Sequence, residues 1–577
     1  MYPYTADLLC LDFYRSESTQ LPEELSTVQT PLRRETWARA LQSHPDQAFV
    51  RYILCGLCHG FRIGFNRAHP LRSATANMDS AQQHPDVIGE YLAKEQSLGR
   101  LLGPFAQSVS MPELQINRFG VIPKGHNPGK WRLITDLSFP PGRSVNDGID
   151  SDLCSLTYTT IDEVAELVVR LGLGALLAKA DIKAAYRLIP VHPQDRPLQA
   201  IRWKNQVFID PMLPFGLRSA PKIFNAVADA LQWCLWDQGI PLIRHYLDDF
   251  IIIGSPQSPQ CQSSLDIFLQ VCKELGVPIA DEKTEGPTTS LVFLGIRIDT
   301  ATGQLSLPED KLLRLQLCLQ QWGDRKVCTR RELESLVGLL NHACKVVRAG
   351  RSFLRRMIDL IPSGQDRRRA QALIRLNVGF RSDLAWWQAF CRSWNGISFL
   401  PTSSLLPVQE MASDASGSWG CGAWHQDRWF QIQWDNGTLG LSIAVKELIP
   451  IIVAGVVWGR LWTGHRIICH CDNQAVIACI RSRTSRHSGI MHLLRSLVFV
   501  EAYFQFHFHP QYINTHANEL ADDLSRNDAF SFLSKVPQAH RKPTLVPAAL
   551  LSLLLDCRAE WTSPHWRHRF VDTFTRA

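Results

Sequence analysis

Between residues 86 and 300, short apolar runs alternate with amphipathic ones, and this alternation constrains the fold more than any other feature of the chain. RLITDL, ALLAKADI, QVFIDPM, FIIIG and LVFLGIRI have strand length and are rich in β-branched and aromatic residues. IDEVAELVVRL and APKIFNAVADALQWCLW repeat their apolar residues at helical spacing. Strands and helices interleaved in this way bury their faces against one another as an α/β or α+β domain. Three acids punctuate the pattern. Asp181 ends the run ALLAKAD, and Asp248 and Asp249 stand side by side between the apolar flanks of RHYLDDFIIIG. Taken alone, the pair reads first as a hairpin turn, which Asp favours. The second reading is chemical: carboxylates gathered in a partly dry site repel one another, and a divalent cation relieves that repulsion.

The rest of the chain is organised around this region. With 577 residues there is room for roughly three or four domains. Residues 1–85 are mixed and carry no motif. Residues 301–405 are helical in period, with the capping-box spacing at Thr329 and Glu332, and GISFLPTSSLLPVQE (396–410) reads as a linker. A second strand-rich region fills 406–527. A tail, 528–577, holds one apolar helix, LVPAALLSLLLDCRAEW. The net charge of +7 permits a polyanionic partner without requiring one. The opening MYPYTADLLCLDFYRSE has acids where a secretory signal is basic and then apolar. With the 16 cysteines scattered, a reducing intracellular compartment, cytoplasmic or nuclear, is expected. No apolar run reaches membrane-spanning length, so no membrane partner is expected. CGLCH matches a haem-attachment pattern but lies in a helical run, and CHC at 469–471 reads as strand interior.

The second strand-rich region has acids of its own. Asp414 lies on a strand in MASDASGSWGCGAW, followed by small residues. Glu447 of AVKELIPIIVAG is placed at the start of a helix, with Pro450 in its first turn, where a missing N–H costs little. Asp472 of HCDNQAV falls at a strand end, and Asp522 of THANELADDLSR on a final helix, with Asp523 as its neighbour. One such acid is weak evidence; the ordered set Asp, Glu, Asp, Asp is strong.

ADIKAAYRLIPV, LPFGLRSAPKIF, YLDD and FLGI, in that order, resemble the palm of reverse transcriptases. The resemblance implies a right-hand polymerase of fingers, palm and helical thumb, in which Asp181, Asp248 and Asp249 bind the metals and Asp249 is the more supportive of the three. Tyr186 falls on the position that rejects a 2′-hydroxyl on the incoming nucleotide. Lys130 and Arg132 of GKWRLITDL look like cations that meet the triphosphate, with Lys124 a further candidate. Phe215 stands where several retroviral enzymes carry glutamine, and Phe293, Leu294 and Gly295 resemble the primer grip. The segments around Asp414, Glu447, Asp472 and Asp522 resemble the ribonuclease H α/β fold, whose four carboxylates hold two metals and cut RNA in an RNA–DNA hybrid. Tyr512, Ile513, Asn514 and Thr515 depart from the usual His-Ile-Pro-Gly before the asparagine, so His509 and His516 are only candidates for a loop histidine.

Together these imply an α+β multidomain enzyme, an RNA-directed DNA polymerase with an attached ribonuclease H. It would use two Mg²⁺ or Mn²⁺ ions per site, about 3.5–4 Å apart. Its partners would be an RNA template, a DNA primer, their hybrid and deoxynucleoside triphosphates. KELIPIIVAGVVWG, CDNQAV, LLRSLVF and ADDLSR resemble more narrowly the polyprotein of DIRS-like retrotransposons, which integrate with a tyrosine recombinase. The rival expectation is a host-retained nucleic-acid-binding protein of retroelement origin without activity.

Overall fold

The computed structural model describes residues 27–106, 114–123, 131–362, 373–394, 397–399, 407–504 and 506–555. The fold is α+β and multidomain, and the chain divides into two compact units, the first running to Leu294 and taking back Thr300–Thr302, the second holding the remainder.

Nine strands of the first unit are, in chain order, β1 (Leu102–Ala106), β2 (Ile116–Pro123), β3 (Trp131–Asp136), β4 (Leu176–Asp181), β5 (Ala200–Trp203), β6 (Gln206–Ile209), β7 (Ile243–Tyr246), β8 (Asp249–Gly254) and β9 (Glu285–Thr288). They form two sheets, ordered β1-β6-β5-β2-β3 and β7-β8-β4-β9. The second sheet is antiparallel throughout, and its central β8 is buried along the whole of Phe250–Gly254. That continuous burial is why FIIIG reads as an unbroken apolar run instead of an alternating one.

Among the helices of this unit, α1 (Ile161–Leu171), α2 (Ala220–Asp237) and α3 (Gln260–Leu275) accompany the second sheet. Ile223, Val227 and Leu231, four residues apart on α2, join Phe268 of α3 and Ala178, Ala180, Phe250 and Ile252 of the sheet in one core. The N-terminal segment belongs to the same core. Trp37, Phe49, Ile53 and Phe61 are buried in it, and the Trp37 indole donates to the Leu275 carbonyl at 3.0 Å. Cys55 and Cys58 lie on helix Gln47–His59, as the helical period suggested.

The second unit opens with helices Glu309–Gly323, Arg330–Ala343 and Val378–Trp394. The capping box is formed: the Thr329 side chain accepts from the Glu332 amide, and Glu332 accepts from the Thr329 amide at 2.8 Å. Part of the expected linker is instead a strand, Ile397–Phe399, paired with Gln304–Ser306.

A five-stranded sheet follows, built from β10 (Val408–Ala415), β11 (Gly420–His425), β12 (Arg428–Gln433), β13 (Arg466–Cys471) and β14 (His507–Tyr512), in the order β12-β11-β10-β13-β14. β10 pairs antiparallel with β11 and parallel with β13, which pairs parallel with β14. Helices α4 (Ile443–Trp458), α5 (Gln474–Ser482), α6 (Ser488–Phe504) and α7 (Glu519–Ser525) accompany them.

Pro450 does not sit in the first turn of α4. The helix starts at Ile443, after Ser442, so Pro450 lies in its interior. Burial explains the tolerance: every residue from Val445 to Val456 is buried, and that apolar contact outweighs one lost backbone hydrogen bond. The tail is part of this unit as far as it is described. The Thr544 amide donates to the Trp429 carbonyl at 2.7 Å along β12, and Leu550, Leu553 and Leu554 of helix Leu550–Leu555 enter the core around α4 and α6.

Candidate active sites

Two clusters of acids emerge, one in each unit. In the first, β4 and β8 are neighbours in register, so Asp181 and Asp249 stand directly opposite each other at their ends. Asp248 occupies the turn between β7 and β8. The Asp248 carbonyl accepts from the Ile182 amide at 3.0 Å, which ties the turn to the residue after Asp181. Leu247, just before it, has φ +53°, a left-handed conformation that costs an L-residue roughly 1–2 kcal/mol and needs outside support.

The three carboxyls feel one another. Burial, then a hydrogen bond with Asp181 and the charges of Asp248 and Asp181, push the Asp249 carboxyl up to about 6. Burial also raises Asp248, and the Asp181 charge adds to it. Lys283 answers part of this repulsion. Its ammonium donates to both carboxylate oxygens of Asp181 at 2.8 Å. A cluster that draws a lysine onto its buried member is one that a divalent cation suits, and oxygen-only donors fit hard Mg²⁺ or Mn²⁺.

Around this cluster Tyr186 packs edge-on to Phe215 and Phe224, ring centroids 5.4 Å apart in each case. Burial first, then the charge of Asp248, raises the Tyr186 phenol, so it stays protonated and close to the acids. The Arg132 guanidinium stands 5.4 Å over the Phe215 ring. Arg132, Tyr186 and Phe215 therefore line one corner beside the acids. Lys124 and Lys130 lie outside the described residues. Gly216 has φ +96°, and a Cβ there would meet the Thr135 carbonyl oxygen at 2.9 Å, which explains the glycine after Phe215. Phe293 is buried and is followed by a left-handed pair, Leu294 at φ +48° and Gly295 at φ +74°.

Two residues here escaped the sequence reading. Lys283 is one. The other is Arg187, next to Tyr186, whose buried guanidinium meets Asp210 at 2.6 Å, Glu95 at 3.1 Å and the Arg100 carbonyl at 2.7 Å. Neither has a local signature, because their partners are far away in sequence.

In the second unit Asp414 lies on central β10 and Asp472 directly after the parallel neighbour β13. Glu447 comes from α4 and Asp522 from α7. Burial, then the charges of Asp414 and Asp472, push the Glu447 carboxyl up to about 9. Burial lifts Asp414 to about 6, with Asp472 and Asp522 adding to it and a Ser525 hydrogen bond opposing. The charges of Asp472 and Asp522 thus bear on both Asp414 and Glu447, which draws the four carboxyls into one site. Ligand atoms of Glu447, Cys471 and Asp472 lie within 4.8 Å of one another. The donor set again fits a hard divalent cation through its carboxylates, with Cys471 beneath them.

The periphery sorts the remaining candidates. Asp522 carries Arg526 at 2.7 Å and faces Asp414, whereas Asp523 is taken by Lys535 at 2.8 Å. The Thr515 hydroxyl donates to Asp472 at 2.9 Å, so the loop bearing His516 reaches the site. His509 lies on β14 near Arg466 and Arg481, and burial followed by those charges lowers its pKa. The Lys446 ammonium, beside Glu447, donates to the carbonyls of Gly417 and Leu439 and holds the loop after Asp414.

Residues 122–298, which carry the first cluster, match the family model described as reverse transcriptase (RNA-dependent DNA polymerase). This segment is a reverse transcriptase domain of the kind found in retroelement and viral polyproteins. The chain is 25% identical over 215 residues to Polyprotein P3 of Commelina yellow mottle virus, which is 37% of this chain and 10% of that protein. It is 28% identical over 168 residues to the enzymatic polyprotein of Cestrum yellow leaf curling virus, 28% of this chain and 24% of that protein. The matched part thus spans a quarter or less of these curated relatives. Among solved structures, the foamy viral protease-reverse transcriptase dRH in complex with double-stranded DNA is similar at a TM-score of 0.47 and 15% identity, over 87% of this chain and 85% of that one. No helix among the described residues is long and apolar enough to cross a membrane.

Proposed function

We propose that the chain is an RNA-directed DNA polymerase with an attached ribonuclease H, acting in replication of a retrotransposon of the DIRS-like kind. The observation that carries the polymerase reading is the register pairing of Asp181 with Asp249 beside Asp248, inside the segment matched by the reverse transcriptase model. The elevation of Asp414 and Glu447 by burial and then by neighbouring carboxylates supports a separate carboxylate site for hybrid cleavage.

In this reading Asp181, Asp248 and Asp249 hold Mg²⁺ or Mn²⁺ in the first unit, and Asp414, Glu447, Asp472 and Asp522 in the second. The ions supply charge stabilisation for phosphoryl transfer. The chain's own residues do the selecting. Arg132, and Lys130 with it, meets the triphosphate, a role suited to a forked guanidinium and a point-charge ammonium. Tyr186, wedged between Phe215 and Phe224, fills the space of a 2′-hydroxyl, and Phe215 packs on the sugar. Phe293, Leu294 and Gly295 form the primer grip. The partners are an RNA template, a DNA primer, the resulting hybrid and deoxynucleoside triphosphates, with a tyrosine recombinase of the same element acting afterwards.

Primer extension on an RNA template with Mg²⁺ tests the reading. Wild type is expected to extend and Asp248→Asn to lose activity by about two orders of magnitude or more, as removal of a charge-stabilising group implies. Equal extension by both would refute the site assignment.

A further inference from the structure

We propose that His245 and Asp229 form a dyad that positions the Asp248 turn, so that His245 acts as a positioning residue for the polymerase site. The inference rests on the polymerase reading above for its kinetic consequence, but not for its geometry.

The turn has two carbonyls to secure. That of Asp248 is bound by the Ile182 backbone amide. That of Leu247, the left-handed residue, faces Nδ1 of His245 at 3.3 Å. The same ring turns Nε2 toward Oδ1 of Asp229 on α2 at 2.9 Å. Both neighbours of the imidazole are acceptors. A carbonyl oxygen offers only lone pairs, so the contact with Leu247 is attractive only when Nδ1 carries a hydrogen and donates it. With Nδ1–H donating to Leu247, a second proton lies between Nε2 and Oδ1 of Asp229: the doubly protonated ring donates to a carboxylate, or the Nδ1–H ring accepts from a protonated Asp229 carboxyl.

The surroundings make the arrangement rigid. His245 is 5% exposed and stacks on Phe250 of β8 with ring centroids 5.1 Å apart. Asp229 receives a second hydrogen bond, from Asn225 one turn earlier on α2, at 2.9 Å. Lys222, at the start of α2, also couples electrostatically to Asp229. The dyad thus transmits the position of a buried helix to the one strained residue of the catalytic turn. A packing role alone would leave the two ring nitrogens without assigned partners; here each has one, and they differ in what they hold.

That difference makes the test selective. In His245→Asn the side-chain amide nitrogen replaces Nδ1 and reaches the Leu247 carbonyl. In His245→Gln it replaces Nε2 and reaches only Asp229. Steady-state primer extension should show kcat reduced about tenfold or more in His245→Gln, with KM for the nucleotide within about twofold, because misplacing a reacting group costs rate more than binding. His245→Asn should recover most of that loss. A glutamine variant as active as the asparagine variant, or both equal to wild type, would overturn the proposal. Should wild type extend no primer, or the variants not fold, the polymerase reading or the variants fail and the dyad is judged separately. In wild-type protein labelled with ¹⁵N-histidine, the His245 ring, identified by its response to Asp229→Asn, should carry a proton on Nδ1 at neutral pH. A bare Nδ1 would overturn the proposal without reference to activity.

Discussion

Gly216 concentrates the demands of the corner beside the first acid cluster in one residue. Its φ of +96° and the approach of the Thr135 carbonyl leave no place for a Cβ, and its own carbonyl accepts from the Asn146 amide at 2.8 Å. Gly216→Ala is expected to destabilise the first unit by about 1–3 kcal/mol, read from denaturant melts; an unchanged melt would show that the loop relaxes freely. In the second unit Glu447 yields a pH prediction. Its pKa is raised from 4.5 to about 9, so the folded chain holds the proton more tightly than the unfolded chain. The stability this contributes is fully present below about pH 4.5 and is lost as pH climbs toward 9. In EDTA, Glu447→Gln, neutral throughout, should therefore lose less stability than wild type across that window. Parallel stability–pH curves for the two proteins would contradict the shared-site electrostatics.

At the scale of elements, the expectations with a local signature held. The Thr329–Glu332 capping box, the hairpin around Asp248 and the strand end before Asp472 each rest on neighbours in sequence, so period and spacing reveal them. Lys283, Arg187 and His245 could not be found that way. Their partners come from other strands and helices, and a lone basic residue in a strand or loop reads as solvated surface. Pro450 misled because propensity argues for a first turn, whereas burial of α4 on all sides overrides it. The tail's sequence shows one apolar helix but not where it docks; Trp429 and Trp458 both hydrogen-bond to the tail, at the His540 carbonyl and the Thr544 hydroxyl. Truncation after residue 537 removes the buried Leu550, Leu553 and Leu554, each worth about 1.5–3 kcal/mol of burial. A drop in the thermal midpoint of the second unit is expected, and an unaltered midpoint would mean that the segment is dispensable.

In the whole molecule, two carboxylate clusters lie in two compact units, each with its own sheet and core. The first is built on antiparallel strands β4 and β8, the second on parallel strands β10 and β13. The acids of the two clusters belong to separate units, so the two proposed activities should separate cleanly. The most direct test measures both on one preparation: primer extension on an RNA template and cleavage of an RNA–DNA hybrid, with Mg²⁺, for wild type and Asp472→Asn. Wild type is expected to perform both reactions, and Asp472→Asn to lose hybrid cleavage while its primer extension stays at the wild-type rate. Hybrid cleavage that survives Asp472→Asn, or loss of both activities in that variant, would contradict the assignment of two separate sites.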